Sequence, residues 1–222
     1  MSGTVDNILA KIPAHVTVVA AAKTRTLAEV KAILDAGIRV IGHNYVQEAE
    51  RHVEGLSDVP SIRVEMIGHL QRNKVRHAIR LFDRIQTVDS LRLAEKIDAE
   101  CEKAGKTMSI LVEVNSGLES QKAGVSPDAV RPLIDKICDL QHLRVEGLMT
   151  MGPLVADPEA LRPLFRATRA LFDDLKDLTC PNVDMQVLSM GMSNSYRVAI
   201  EEGSTMVRLG TMLFGPRPAK PV

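Results

Sequence analysis

The sequence predicts an α/β fold of the (β/α)8 barrel class, and three observations lead to this prediction. Short apolar runs alternate eight times with helical segments, which is typical of a parallel sheet covered by helices. The connecting loops are short and polar, and no Pro- or Ser-rich linker divides the 222 residues. Eight strand–helix units close a parallel sheet into a barrel. We therefore expect one domain spanning residues 1–222, with an open doubly wound sheet as the alternative.

The expected strands are apolar runs in which polar and apolar residues do not alternate, and this indicates burial on both faces. In chain order they are Val16–Ala22, Ile38–Ile41, Ile62–Ile67, Arg84–Val88, Thr107–Val114, Leu143–Met149, Val183–Ser189 and Thr205–Leu209. The first of these ends on Lys23, and the fifth is the longest.

Helix boundaries between the strands are marked by capping residues. Thr26–Glu29 has the pattern of a capping box, and Gly37 is placed to end that helix. Ser126-Pro127 and Asp157-Pro158 each combine a capping side chain with proline in the first turn, where its missing N–H costs nothing. An amphipathic N-terminal segment, residues 5–11, is available to cover the barrel where no long helix follows the eighth strand.

Composition excludes several classes of function. Lys+Arg and Asp+Glu both number 28 and aromatic residues make up 3%, which argues against nucleic acid or an anionic membrane surface as a partner. No signal core or membrane span is present. The histidines and cysteines show no metal-ligand spacing, so no metal site is expected. Cys101, Cys138 and Cys180 are expected to be free thiols, which fits a reducing, cytoplasmic location.

Lys23 is the first candidate functional residue, because the carboxyl ends of barrel strands are where ligands bind. Burial there would disfavour the ammonium form and make the neutral amine available. The neutral amine is the form that attacks an aldehyde to give a Schiff base. On position alone, a lysine that reaches into water is the simpler interpretation.

The segment after the seventh and eighth strands is the second candidate, because barrels commonly bind phosphate there. Ser193 opens a helix and offers a hydroxyl donor, while Gly191 and Gly210 would let backbone N–H groups approach an anion closely. Capping and chain turning alone explain these residues equally well. A Schiff-base lysine together with a phosphate site predicts a phosphorylated aldehyde, and pyridoxal 5′-phosphate (PLP) is the common cofactor of that description.

Several longer motifs resemble the pyridoxal phosphate homeostasis protein family, over nearly the whole chain from Val18 to Arg217. The motifs are, in order, Ala22–Thr24, Gly42–Glu48, Ile67–Lys74, Gly147–Thr150, Leu188–Ser193 and Gly203–Thr211. The resemblance implies a barrel like the N-terminal domain of alanine racemase, the PLP fold type III.

The resemblance also implies a set of cofactor-binding residues and no catalytic residue. The set is Lys23, Asn44, Ser193, Arg208, Gly210 and Thr211. Lys23 would carry PLP as a Schiff base, Asn44 would line the ring, and Ser193 would bind the phosphate with the two residues that follow Leu209. Arg208 would face the pyridine nitrogen and keep it unprotonated, because arginine offers donors and no acceptor.

The chain departs from the family pattern at three places. His43 stands where the family usually has Glu, Val64-Glu65 where an aromatic residue and His are common, and Pro218-Ala219 where the ending is usually polar and aromatic. We expect His43 and His69 to form hydrogen bonds within their loops. Lys122 matches a family lysine that would relay or accept PLP, with an ordinary loop lysine as the alternative.

Two functions remain after these observations. The first is a non-catalytic protein of PLP homeostasis that stores the cofactor or delivers it to apo-enzymes, as a cytoplasmic monomer. The second is a PLP-dependent racemase, which needs a second acid–base group. The resemblance implies that in racemases of this fold the second group is a tyrosine on an additional β-domain. The chain has only two tyrosines, Tyr45 and Tyr196. A PLP-free aldolase that uses Lys23 would leave the phosphate motif without a role.

Overall fold

Eight parallel strands close into a barrel in the computed structural model, which describes residues 2–119 and 123–216. The strands are β1 Thr17–Ala21, β2 Val40–His43, β3 Arg63–Met66, β4 Arg84–Val88, β5 Met108–Val114, β6 Leu143–Thr150, β7 Val183–Met192 and β8 Met206–Leu209. β1 pairs in parallel with both β2 and β8. This closure confirms the predicted barrel, and the open-sheet alternative is wrong.

Helices follow the strands and form the outer layer. They are α1 Ser2–Leu9, α2 Leu27–Asp35, α3 Val46–Val53, α4 Val75–Leu81, α5 Leu91–Ala104, α6 Pro127–Ile137, α7 Arg162–Asp174, α8 Tyr196–Glu201 and α9 Thr211–Phe214. The N-terminal α1 contacts α2 and the short α9. It therefore covers the barrel beside its last strand, as the sequence predicts.

Most predicted boundaries agree with the structure to within one or two residues, and the exceptions have local causes. β7 continues to Met192 because that residue pairs with Arg208 of β8 after a shift in register. Asp157 caps its helix by accepting the N–H of Glu159 at 3.0 Å. Ser126 makes no side-chain capping bond, so that part of the prediction is wrong.

A row of buried polar side chains crosses the barrel interior. Arg84 of β4 donates to Glu65 of β3 at 2.8 Å and to Glu146 of β6. Glu65 also accepts from Gln86 at 2.5 Å, and Gln86 accepts from the hydroxyl of Ser189 at 2.7 Å. Strands β4 and β7 are not neighbours, so the contact between Gln86 and Ser189 passes through the barrel. We call these five residues the interior network.

His43 is a core residue, and the expected loop hydrogen bond is wrong. Its side chain is fully buried at the end of β2, and neither ring nitrogen has a hydrogen-bond partner in the described parts of the chain. The ring centroid lies 5.0 Å from that of His52. Burial, with a smaller contribution from His52, lowers the pKa of His43 to about 3. His69 is exposed instead, with Nδ1 3.6 Å from Asp89.

The cysteines differ from the prediction of three free thiols. Cys138 and Cys180 form a disulfide whose Cα atoms are 6.0 Å apart. Cys101 is free and buried, and burial raises its thiol pKa to about 11. The pair was missed because 42 residues separate the two cysteines, and only the docking of α6 beside the start of β7 brings them together.

The described residues contain neither a membrane-spanning helix nor a cluster of metal ligands. No helix among them is both long and apolar enough to cross a membrane. No group of three or more His, Cys, Asp or Glu side chains among them could hold a metal ion.

Candidate cofactor site

A cleft of about 410 Å³ lies at the carboxyl ends of the strands. All six predicted cofactor-binding residues line it: Lys23, Asn44, Ser193, Arg208, Gly210 and Thr211. Met151 and Leu154, from the loop after β6, add apolar walls. The barrel brings these distant positions together because parallel strands all end on the same face.

Lys23 lies two residues beyond β1 and is half-buried, which is between the two alternatives of a buried amine and a lysine that reaches into water. Its Nζ atom is 5.4 Å from the ring centroid of Tyr45, within the range of a cation–π contact. No carboxylate of the described residues lies within ion-pair distance of it. The next residue, Thr24, has a left-handed φ of 64° and donates its N–H to Glu48 at 3.3 Å. Such backbone strain occurs often at ligand sites.

Asn44 is fixed by close packing of two loops. A Cβ atom at Gly68 would lie 2.4 Å from the backbone oxygen of Asn44, so only glycine allows the loop after β3 to approach the loop after β2. Asn44 therefore stays at the border between the cleft and a second cavity of about 460 Å³, which Tyr45 and Lys74 also line.

Ser193 and the backbone after β8 form a small group of hydrogen-bond donors. Ser193 Oγ accepts from the N–H of Gly210 at 3.1 Å and from that of Met212 at 3.3 Å. At Gly210 a Cβ atom would lie 3.7 Å from its nearest neighbour, Ala21, so the protein itself does not require glycine there. Because Ser193 Oγ accepts from these two N–H groups, its own hydrogen is left to donate, and a hydroxyl donor beside clustered N–H groups suits a phosphate.

Arg208 is buried at the base of the cleft, only 4% exposed. One Nη atom donates to the carbonyl and hydroxyl oxygens of Ser189 at 2.9 and 2.6 Å, and the other donates to the carbonyl of Thr150 at 2.8 Å. Burial lowers the pKa of Arg208 to about 10, against the opposing charge of Glu113. The guanidinium thus stays charged at neutral pH and joins the interior network through Ser189.

Glu113 is the residue at the site that sequence reasoning missed. It lies on β5, is 4% exposed, and its Oε2 atom is buried without a hydrogen-bond partner in the described parts of the chain. Burial raises its pKa to about 7, with Asp89 adding to the shift and Arg208 opposing it. The available signal was a single charge within the apolar run Thr107–Val114.

The raised pKa of the Glu113 carboxyl predicts how the free energy of unfolding changes with pH. The folded pKa is about 7 and the unfolded pKa about 4.3, so between these values the folded state binds more protons. Stability from this group is therefore complete below pH ~4.3 and lost as pH rises to about 7, by roughly 4 kcal/mol in total. The free energy of unfolding of PLP-free protein, measured across this window, should lose this component in Glu113→Gln. Glu95→Gln removes an exposed carboxyl and is the control; equal curves for wild type and Glu113→Gln would contradict the assignment.

Comparison with known proteins decides the family. The family model for the alanine racemase N-terminal domain matches residues 4–218. The pyridoxal phosphate homeostasis protein of Aquifex aeolicus is 39% identical over 197 residues, which cover 89% of this chain and 85% of that protein. The chain belongs to the pyridoxal phosphate homeostasis protein family. The homeostasis protein of Pseudomonas aeruginosa is 35% identical over 205 residues, 92% of this chain and 86% of that protein.

Solved structures agree with membership of the homeostasis protein family. PipY of Synechococcus elongatus, in a structure with PLP bound, superposes with a TM-score of 0.88 at 31% identity, over 96% of this chain and 99% of that one. Alanine racemase of Clostridium difficile superposes with a TM-score of 0.81 at 17% identity, over 98% of this chain and 57% of that one. The second likeness shows the shared barrel fold alone.

Lys122 and Pro218-Ala219 lie outside the described residues.

Proposed function

We propose that this homeostasis protein holds PLP as a Schiff base on Lys23 and stores or delivers it without strong catalytic activity. The observation that carries the proposal is a single cleft that contains the Lys23 amine, the Ser193 hydroxyl and the open backbone at Gly210. The PLP-bound structure of the homologue PipY supports PLP as the ligand. The recipients we propose are PLP-requiring apo-enzymes, served by a cytoplasmic monomer.

The residues of the cleft match the chemical groups of PLP. Lys23 would supply the amine, Asn44 would contact the ring, and Ser193 with Gly210 and Thr211 would bind the phosphate. When bound, PLP supplies an aldehyde and a ring that can act as an electron sink. Arg208, assigned to the pyridine nitrogen, can only donate hydrogen bonds and keeps that nitrogen unprotonated. The ring is then a weak electron sink, which favours binding over catalysis.

The racemase alternative needs a second acid–base group across the cofactor from the lysine. The ring of Tyr45 lies 5.4 Å from the Lys23 amine, and this residue lines the neighbouring cavity rather than the cleft. Tyr196 is buried, and its hydroxyl accepts a hydrogen bond from Arg197 at 3.1 Å. Neither tyrosine is placed for this role.

We expect PLP-loaded protein to show no racemisation or transamination of alanine above the rate of free PLP, because Arg208 weakens the ring as an electron sink. The measurement is the change in optical rotation, or in enantiomer ratio by chiral chromatography, for D- and L-alanine. Lys23→Ala is the control, because any turnover that remains in this variant comes from PLP bound at another residue. Turnover by the wild type that disappears in Lys23→Ala would establish the racemase function instead.

Ser193→Ala is expected to weaken PLP binding about tenfold, because one hydroxyl partner of the phosphate is lost. Both ligands are measured by fluorescence titration. Pyridoxal, which has no phosphate, should bind the wild type and Ser193→Ala equally. Ser57→Ala, at an exposed surface serine, is the matched control and should leave both affinities unchanged. An equal loss for PLP and pyridoxal would remove Ser193 from the phosphate site.

A further inference from the structure

Glu113 takes no part in the proposed binding of PLP by the six cleft residues. Its side chain is 4% exposed, and the buried Oε2 atom lacks a hydrogen-bond partner among residues 2–119 and 123–216. A buried carboxyl without a partner costs free energy, so natural proteins rarely keep one unless a ligand or water completes it. The neighbouring Arg208 makes no hydrogen bond to this atom, and its Nη atoms donate instead to oxygens of Ser189 and Thr150.

A small cavity lies in front of this carboxyl. It has a volume of about 110 Å³, which is room for more than a single water. Polar groups of Glu113, His69 and Thr87 line it together with the apolar side chains of Ile67, Val114 and Met151. Ile67 and Met151 also line the cofactor cleft, so the cavity and the cleft share two walls.

The charges around the cavity favour a cation. The charged and titratable groups that face Glu113 are Asp89 after β4, Arg208 on β8 and His69 after β3. Arg208 is already bonded to backbone and hydroxyl oxygens, and Asp89 places a second carboxylate near Glu113. The hydroxyl of Thr87 donates to the carbonyl of Gly68 at 2.7 Å, which leaves its oxygen able to accept.

The cation that fits is organic rather than a metal ion. One carboxylate and one hydroxyl are too few oxygen ligands for a calcium or magnesium site, and the described residues contain no metal-binding cluster. An ammonium group needs only two or three acceptors, and the apolar walls suit its alkyl chain.

We propose that the Glu113 cavity is a binding site for the ammonium group of a small primary amine, next to the cofactor cleft. The site consists of residues on β3, β4, β5 and β6 or the loops after them, and it does not include Lys23. A homeostasis protein with this site holds an amine and its cofactor as neighbours. The inference does not depend on how PLP is attached.

The test is isothermal titration of PLP-free protein with ethylammonium chloride at pH 8, with potassium chloride at equal concentration as the salt control. For a ligand of three heavy atoms we expect a dissociation constant of about 1 mM. Glu113→Gln should abolish binding, Asp89→Asn should weaken it less, and Glu95→Gln should leave it unchanged. Lowering the pH from 8 to 6 should weaken binding about tenfold, because the carboxyl becomes protonated near pH 7. His69→Gln should keep this pH dependence.

A second readout needs no variant. The carboxyl carbon signal of Glu113 in a ¹³C NMR spectrum should shift with ethylammonium and stay unchanged with potassium. Absence of heat and of a shift at millimolar ethylammonium, or an equal response to potassium, would overturn the proposal. The proposed function fails separately, because reduction of PLP onto Lys23 can be measured without any amine. Labelled Lys23 without ethylammonium binding would refute only the amine site.

Discussion

Replacing Glu65 by alanine is expected to lower the free energy of unfolding by about 3 kcal/mol, because the buried Arg84 guanidinium loses one of its two carboxylate partners and the Gln86 amide loses its oxygen acceptor. Glu65 is fully buried, and its two oxygens accept from Arg84 at 2.8 Å and Gln86 at 2.5 Å. Burial raises the pKa of Glu65, and the Arg84 guanidinium opposes that shift. The loss of Glu65 also separates Arg84 from Gln86, which stays connected to Arg208 through Ser189.

The measurement is urea unfolding monitored by circular dichroism. Glu65→Gln retains the size and the contact with Gln86, and should cost less than Glu65→Ala. Glu65→Leu combined with Arg84→Met should recover part of the loss, since well-packed apolar pairs often replace buried ion pairs without penalty, and Glu146 keeps the hydrogen bond from Ser109 at 2.7 Å. Glu159→Ala removes an exposed partner of Arg162 and is the control for losing a surface carboxylate. A Glu65→Ala midpoint equal to that of Glu159→Ala would contradict a structural role for the network.

Replacing Lys23 by alanine is expected to weaken PLP retention by two orders of magnitude or more, equivalent to about 2.7 kcal/mol. Only Lys23 among the six cleft residues carries an amine able to form the Schiff base. The phosphate contacts at Ser193 and Gly210 remain in the variant, so residual non-covalent binding is expected. The visible absorption band of the Schiff base should disappear, and bound PLP should be lost on gel filtration.

Lys74→Ala is the matched control for this prediction. Lys74 lines the neighbouring cavity with Asn44 and Tyr45, so its amine is an alternative point of attachment. The control should retain the visible band and its PLP. Retention of the band in Lys23→Ala, with loss in Lys74→Ala, would move the Schiff base to the second cavity.

The barrel was predictable because its signals are local. Apolar runs, the Thr26–Glu29 capping box and the Asp157 cap each depend on a few neighbouring residues, and all are present in the structure. The end of β7 was not predictable, because Met192 is extended by pairing with Arg208 on another strand. The family resemblance then named the six cleft residues, and they lie together because the barrel places all strand ends on one face. Their roles toward PLP stay predictions.

The buried polar residues escaped sequence reasoning for a common reason. A strand buried on both faces gives no alternation, so the apolar run does not show which residues point into the barrel. In the sequence, Glu65 and Glu113 are therefore only single charges within apolar runs. In the structure both point inward, and Glu65 belongs to the interior network. Likewise, the burial of His43 against His52 depends on how α3 packs over β2, and no short motif encodes that.

The most direct test of the central claim is to find where PLP is attached. PLP-loaded wild-type protein is reduced with borohydride, digested, and analysed by peptide mass spectrometry. We expect a single phosphopyridoxyl group on the peptide that contains Lys23, at one equivalent per chain and unaffected by Glu113→Gln. Label on Lys122 or Lys74 in its place, or no label after reduction, would contradict a Schiff base at the end of β1 and with it the proposed PLP carrier.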